Sequence, residues 1–588
     1  MELPKITTWI HAHTGMLHSC PFQMTSDKYI HDYSNSDLGT VLEELSPELL
    51  LLIQKSLDSP LDLSRLIAAS PVNFRAFQRY SQHILAAVLQ NAIHPVSMPS
   101  ALAVLQVPSP DSGHDSLLSQ TLEPFLNTYF SGGYNQLSAD RQNLARLQRL
   151  YVRASHLVES YAMHAWREVV AVETHGSDSQ MKFNHTSNNH IPHPDQSQES
   201  SEGNHSRFNL SSQERERLLR AFFRFELYCK VFPDQSNAPT EDGEPSIGAT
   251  QQRDYFLMNL CPFEVEELAC VHHYFSTVIG DFVGHLEDDF VNEILTAAKE
   301  NVNPAAFTSH RKRRSVSPFS SSTISTTGLS GSREDTSARL RRASPCLDSG
   351  TQFAEEETKG RVKTGATDVR WVRAVDLDLY DLDLFCSDAK RRFDRYISYM
   401  VSKGIDFLYD LMRADEIERR KMILDNTPVL RVFLPEAIRT IPHQPEDNNH
   451  EEDSSGNNDE YTDDEPTHPN RGWLKLRPNS NDYIRDGLSF APLRARGWVF
   501  WDAKRVENPT VDQSLYMARH MDRHRLEELY DRSQRRSGEE RLAGVMLPVA
   551  ERSRIYEKYG STFDYGYRDD GVASEGGVSN SNHDDGRG

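Results

Sequence analysis

In the segment "LSSQERERLLRAFFRFELYCKVF", the apolar residues Leu218, Phe222, Phe225, Cys229 and Phe232 recur at alternating steps of four and three. That spacing stacks side chains on one stripe of an α-helix, whereas a strand would alternate faces every two residues. Ser211 or Ser212 supplies a hydroxyl suited to capping the first turn. The pattern returns twice. "CPFEVEELACVHHYFSTVIGDFVGHLEDDFVNEILTAAK" places Pro262 where a first helical turn tolerates it and carries Leu268, Phe275, Ile279, Phe282, Leu286 and Phe290 along one face. "AKRRFDRYISYMVSKGIDFLYDLMRADEIERRKMIL" repeats it with Phe393, Ile397, Met400, Phe407, Leu408 and Leu411. Such helices bury their stripes only against one another, so they read as one discontinuous helical body, and the fold class expected is mainly α.

The joints between these blocks differ in composition. Residues 173–207 are polar, short of aliphatics and built from turn formers, 302–367 are rich in Ser, Thr and Arg, and Pro442–Asn470 contains neither Lys nor Arg. With 37% hydrophobic residues and a mean hydropathy of -0.62, the whole chain has little apolar area to spare for such stretches. The expected organisation is a disordered tail (1–37), a helical module (38–107), a helical stretch (108–172), a disordered linker (173–207), the body (208–301), a basic and Ser-rich insert (302–367), the body continued (368–440), an acidic insert (441–470), a C-terminal mixed region (471–570) and a disordered tail (571–588). The inserts are expected to project from the body as arms. Only the C-terminal region suggests short strands. "GWVFWDAKRV" has β-branched and aromatic content, and "RGW" occurs at Arg471–Trp473 and again at Arg496–Trp498, where the two copies could flank a small hairpin.

A formal charge of -22 argues against a general nucleic-acid binder, which needs a basic face for phosphate. The six cysteines are dispersed with no Cys-x-x-Cys pair, as expected in a reducing compartment. No apolar run approaches the roughly 20 residues that span a bilayer, and the N-terminus lacks a signal-peptide core, so the expectation is a soluble intracellular chain without a membrane partner. Nucleus and cytoplasm both stay open.

The most apolar stretch is "LSPELLLLIQKSLDSPLDLSRLIAASPVNFRAFQRYSQHIL" (45–85). Pro47 is a good first helical residue, Leu49, Leu50, Ile53 and Leu57 form one stripe, and a turn at Asp58–Pro60 follows. Leu63, Leu66, Ile67 and Ser70 make a second helix closed by Pro71, and a third begins near Val72 with Phe74, Phe77, Ile84, Leu85, Val88 and Leu89. Three short helices this apolar call for a partner surface.

This pattern resembles the F-box. The resemblance rests on Leu45, Pro47, Glu48, Leu49, Leu50, Ile53, Asp62, Leu63, Leu66 and Ser70. It implies a three-helix module that docks on the Skp-type adaptor of cullin ubiquitin ligases, with Leu45, Pro47, Leu49, Leu50, Ile53, Leu63 and Leu66 as the adaptor-binding set. After Ser70 the family often carries a Cys/Ser-Arg-x-Trp run, and this chain has "SPVNFRAF" instead. The blocks "LSSQERERLLRAFFRFELYCKVF", "LCPFEVEELACVHHYF" and "RGWVFWDAKRVE" are similar to blocks in a large group of filamentous-fungal proteins with an F-box-like N-terminus and no assigned substrate.

Catalytic motifs are missing: there is no G-x-S-x-G, H-E-x-x-H, Walker loop or G-x-G-x-x-G. His11, His13, His18 and Cys20 cluster in the tail but lack a second ligand pair at finger spacing, and Cys261, Cys270, His272 and His273 read as core, so no metal and no cofactor are expected. Arg311, Lys312, Arg313 and Arg314 have the composition of a nuclear import signal, and Ser317 and Ser344 lie beside basic residues as candidate phosphorylation sites. The resulting expectation is a non-enzymatic, F-box-like interaction protein that recognises an unidentified protein substrate for a cullin-type ubiquitin ligase. The alternative is a helical scaffold with no ligase role.

Overall fold

The structure, a computed structural model, describes residues 45–108, 115–138, 140–171, 208–232, 247–301, 371–373, 396–426, 433–442, 468–477, 487–530, 541–542 and 545–560. The expectations for 1–37, 173–207, 302–367 and 571–588 fall outside these residues, as does most of 441–470. Outside them too lie Arg311, Lys312, Arg313, Arg314, Ser317, Ser344 and the His11–Cys20 cluster.

The described chain is mainly α. It opens with α1 (Pro47–Lys55), α2 (Pro60–Ala69) and α3 (Pro71–Ala92). Each begins with a Ser-Pro pair that does the same work. The Oγ of Ser46, Ser59 and Ser70 accepts from the backbone N–H of Leu49, Asp62 and Val72, while proline occupies the first helical position, where its missing N–H costs nothing. Pro71, expected only to end α2, therefore also starts α3. α3 is not one rod: Tyr80 has φ -125° and ψ 23°, and the helix bends there.

The body follows with α4 (Met98–Gln106), α5 (Asp115–Phe130), α6 (Arg141–Val170), α7 (Ser212–Val231), α8 (Ala249–Tyr255) and α9 (Pro262–Asn301). After residues 396–401, also helical, come α10 (Gly404–Arg413), α11 (Glu416–Leu424) and α12 (Leu434–Arg439). α7 starts in a capping box between Ser211 and Glu214 and is the central helix: Leu218, Phe222, Phe225, Cys229 and Phe232 are buried, and so are Leu219, Phe223 and Leu227 on other faces. One apolar cluster runs from Leu85 on α3 through α7 and α9 to Tyr559, so the separated blocks share a core.

The C-terminal region is helical too, with α13 (Arg471–Leu476), α14 (Gly487–Ala495), α15 (Ala503–Val506), α16 (Pro509–Arg519), α17 (Arg523–Tyr530) and α18 (Val549–Gly560). The strand expected at "GWVFWDAKRV" is not formed. Residues 496–500 are turn and α15 follows. Gly497 sits at φ +64°, a conformation L side chains rarely adopt. The carbonyls that a ladder would use are taken by side chains: Asn470 Nδ2 donates to Val499 O and Trp501 O (2.7 and 2.8 Å), and Arg217 Nη1 donates to Phe500 O (3.2 Å). Trp498, Val499, Phe500 and Trp501 are all buried, so their apolar character reflects a turn sunk into the core rather than a pleat. The two "RGW" copies do meet, but as a helix start and a turn. Trp473 stacks on Trp498 at 5.3 Å, and a Cβ on Gly472 would lie 2.2 Å from the Trp498 carbonyl oxygen. Asn470, assigned to the acidic insert, is instead the buried cap of α13. Among the described residues the strands are β1 (Trp371–Arg373) and β2 (Met546–Pro548), antiparallel with Val372 opposite Leu547.

Candidate docking surface

α1 is apolar over most of its circumference, because Leu49, Leu50, Leu51, Leu52 and Ile53 follow one another. Only part of that surface can turn inward. Leu50 and Gln54, four residues apart, face α3, and Leu57 beyond the helix end continues their line, partly buried. Leu49, Leu52 and Ile53 stay 48, 62 and 36% exposed against 2% for Leu50. Pro47 is exposed beside them, and Leu61 of α2 is 40% exposed. Other exposed apolar side chains, such as Ile417 and Tyr516, are scattered over separate helices, whereas here three lie within two turns.

The anticipated set is therefore divided. Pro47, Leu49 and Ile53 lie on the open face, and Leu45 and Leu66 are half-buried. Leu50 and Leu63 are buried inside the chain, which corrects the expectation of one stripe through Leu49, Leu50 and Ile53. At about 100° per residue, 50, 54 and 57 fall within an arc of about 60°, while 49, 52 and 53 span a separate arc centred about 120° round the helix. Sequence reasoning passed over Leu52, which is more exposed than Leu49 or Ile53; it sits three residues from Leu49 on the same face.

Behind this face the module has a small core of its own, made by Leu63, Phe77, Ile84 and Val88 with Leu51, Leu57, Ile67 and Tyr80 at its margin. Two amide residues tie α1 to α3. Gln54 Nε2 donates to Asn73 O (3.0 Å) and Asn73 Oδ1 (3.1 Å), and Asn91 Nδ2 donates to Lys55 O (2.8 Å) and Leu57 O (3.0 Å). Asn73 and Asn91 would stand about five turns, or roughly 27 Å, apart on a straight helix, so neighbouring residues of α1 reach both only because α3 bends at Tyr80.

Several buried charges of the body are paired internally. Arg494 Nε and Nη2 donate to Glu266 Oε1 and Oε2 (both 2.8 Å), Arg220 pairs with Glu267, and Arg505 Nε and Nη2 donate to Glu214 (both 2.7 Å). Arg505 also lies over the rings of Trp166, Phe208 and Trp501. Burial pushes the Glu226 carboxyl up to about 7, although Lys230 and the N–H of Ile405, which donates to Glu226 Oε2 at 2.5 Å, both favour the charged form. Burial, with Arg494 and Arg439 nearby, lowers His272 to about 3 and keeps it neutral. Cys270 is a buried thiol held protonated by burial and by Glu266. Cys261, expected in the core, is exposed at the start of α9, where its N–H donates to Glu264 Oε2 (2.9 Å). His273 stands on α9 among the described residues, and those residues contain no group of three or more His, Cys, Asp or Glu side chains able to hold a metal ion. No helix among them is long and apolar enough to cross a membrane.

No family model matches the chain, and neither does any curated protein or any solved structure.

Proposed function

We propose that the chain is a non-catalytic interaction protein whose N-terminal helices dock on a Skp-type adaptor and whose helical body presents a protein substrate to a cullin-type ubiquitin ligase. The observation that carries this reading is the open face of α1, where Leu49, Leu52 and Ile53 stand in water while Leu50 on the same helix is buried. An isolated apolar cluster of this kind is a common mark of a protein-binding surface. The face presents side chains at positions i, i+3 and i+4, the spacing with which a helix enters an apolar groove. Ubiquitin transfer would belong to the bound ligase. Glu214, Glu266 and Glu267 are each already paired with an arginine.

The test is a pull-down with purified Skp-type adaptor. The wild-type chain is expected to bind, and a Leu49→Asp/Ile53→Asp variant, altered only at exposed positions, is expected to lose binding while keeping its melting temperature. Failure of the wild type to bind, or undiminished binding by the variant, overturns the proposal.

The scaffold reading draws on a different observation. Leu85, Leu89 and Ile93 at the end of α3 enter the core of the body, and Ser97 Oγ donates to Glu216 O on α7 (3.5 Å). The module is thus anchored to the body rather than tethered by a linker. A scaffold would keep this anchorage and bind no adaptor, so the same pull-down separates the two.

A further inference from the structure

Hydrophobic burial alone cannot decide which way α1 turns. Its run of four leucines and an isoleucine offers an apolar side chain to α3 over most rotations about the helix axis, the arc of Glu48 and Lys55 excepted, so apolar burial narrows the rotation without making it unique. Directional bonds are needed to make one rotation unique. The helix contributes one fully buried polar side chain, Gln54, and α3 meets it with one buried polar side chain, Asn73; they are 0 and 1% exposed. Their bonds, Gln54 Nε2 to Asn73 O and Oδ1, form only when Leu50 points inward and Leu49, Leu52 and Ile53 point out. The second tie, from Asn91 Nδ2 to Lys55 O and Leu57 O, reaches backbone carbonyls and fixes where the helix ends, not how it is rotated.

We infer that Gln54 and Asn73 are positioning residues that set the rotation of α1 and so choose which leucines form the docking face. The pair acts for uniqueness at some expense in stability. Gln54 Oε1 and Asn73 Nδ2 are buried without a partner, and an unsatisfied buried polar atom costs more than a good hydrogen bond returns. A single buried amide at an otherwise apolar helix contact plays this part in coiled coils, where it selects register. Asn73 lies on the segment of α3 before the bend at Tyr80, which is where a residue must stand to meet Gln54. The inference rests on the docking reading for its consequence alone; the rotation of α1 can be read in the free chain, with no adaptor present.

The experiment is hydroxyl-radical footprinting of the full chain, with residue-level mass spectrometry at Leu49, Leu50, Leu52 and Ile53. In the wild type, Leu52 is expected to be modified far faster than Leu50, following their 62 and 2% exposures. In a Gln54→Leu/Asn73→Leu variant the melting temperature is expected to hold or rise, while the Leu52:Leu50 ratio falls about tenfold, the weight of one buried hydrogen-bond preference. The exchanged pair Gln54→Asn/Asn73→Gln keeps both amides and is expected to restore the wild-type ratio at least in part. A merely structural pair would move the melting temperature and leave the ratio alone. The inference is overturned if the double leucine variant keeps the wild-type ratio, if it loses melting temperature markedly, or if the exchanged pair behaves like the double leucine variant. If the ratio falls as expected but wild-type chain fails to bind the adaptor, the rotation device stands and the docking reading falls.

Discussion

In the body, three fully enclosed glutamates are each met by an arginine in bidentate contact, Arg494 on Glu266, Arg505 on Glu214 and Arg220 on Glu267, among buried neutral groups such as Gln148 and Gln252. In the N-terminal module the buried contact between helices is made by two neutral amides alone, Gln54 and Asn73, and each keeps an unpaired atom. The core behind them differs as much. The body shares one cluster across most of its helices, whereas the module rests on Leu63, Phe77, Ile84 and Val88. A large core can absorb the desolvation of an ion pair because many surrounding contacts hold the geometry. A module with four buried core residues has no such reserve, and it leaves part of its own apolar helix in water. The difference separates a region whose apolar helices enclose one another from one that leaves part of an apolar helix in water.

The largest effect should come from breaking the comparison on the body's side. Arg494→Ala removes one partner and strands the Glu266 carboxylate, with Trp498 Nε1 (3.4 Å) as a weak remaining donor. A loss of about 3–5 kcal/mol is expected in denaturant unfolding. A cost below about 1 kcal/mol would mean that the body tolerates an unpaired charge as easily as the module tolerates its unpaired amides.

Next comes Leu63→Ala, which empties the centre of the module's core. About 2–5 kcal/mol is expected. Hydrogen exchange should show the loss as faster opening of α1 and α2 with α7 unchanged; equal acceleration in α7 would show that module and body open together.

A pH experiment sharpens the body's side further. Glu226 titrates near 7 in the fold and near 4.5 when exposed, so between these values the folded chain holds a proton that the unfolded chain has released. Stability from this group is complete below about pH 4.5 and is lost as pH rises toward 7, by up to about 3 kcal/mol. Glu226→Gln keeps an acceptor for the Ile405 N–H and cannot ionise, so the gap between variant and wild type should open across that window. His272 works in the opposite direction. Its folded value near 3 removes stability as pH falls below about 6.5, which is why the difference between the two chains, and not the wild-type curve, is the quantity to follow. A gap that stays constant from pH 5 to 8 would refute the assignment.

The smallest effect should be Leu52→Asp, which exchanges a leucine already in water. A change within about 0.5 kcal/mol is expected, together with loss of adaptor binding. A cost comparable to Leu63→Ala would place Leu52 in a core instead of on a docking face.

Much of this architecture was legible in the chain. The steps of four and three in 218–232, the cap at Ser211 and the helix start at Pro47 reflect local chemistry, which acts within one or two turns and is written in neighbouring residues. The turn at Gly497–Trp501 was not legible as a turn, because its tryptophans and valine are chosen by burial among α6, α7 and α9, and burial favours the same residues that strands do. Nor could the sequence pair Arg494 with Glu266, since nothing local marks two charges 228 residues apart as partners. The exposed face of α1 lies between these cases. "PELLLLIQK" states that a helix forms and that it is apolar, but four consecutive leucines carry no preferred side. Which of them meets water was decided by the bend at Tyr80, which brings Asn73 against Gln54, and by the two hydrogen bonds that only one rotation of the helix allows.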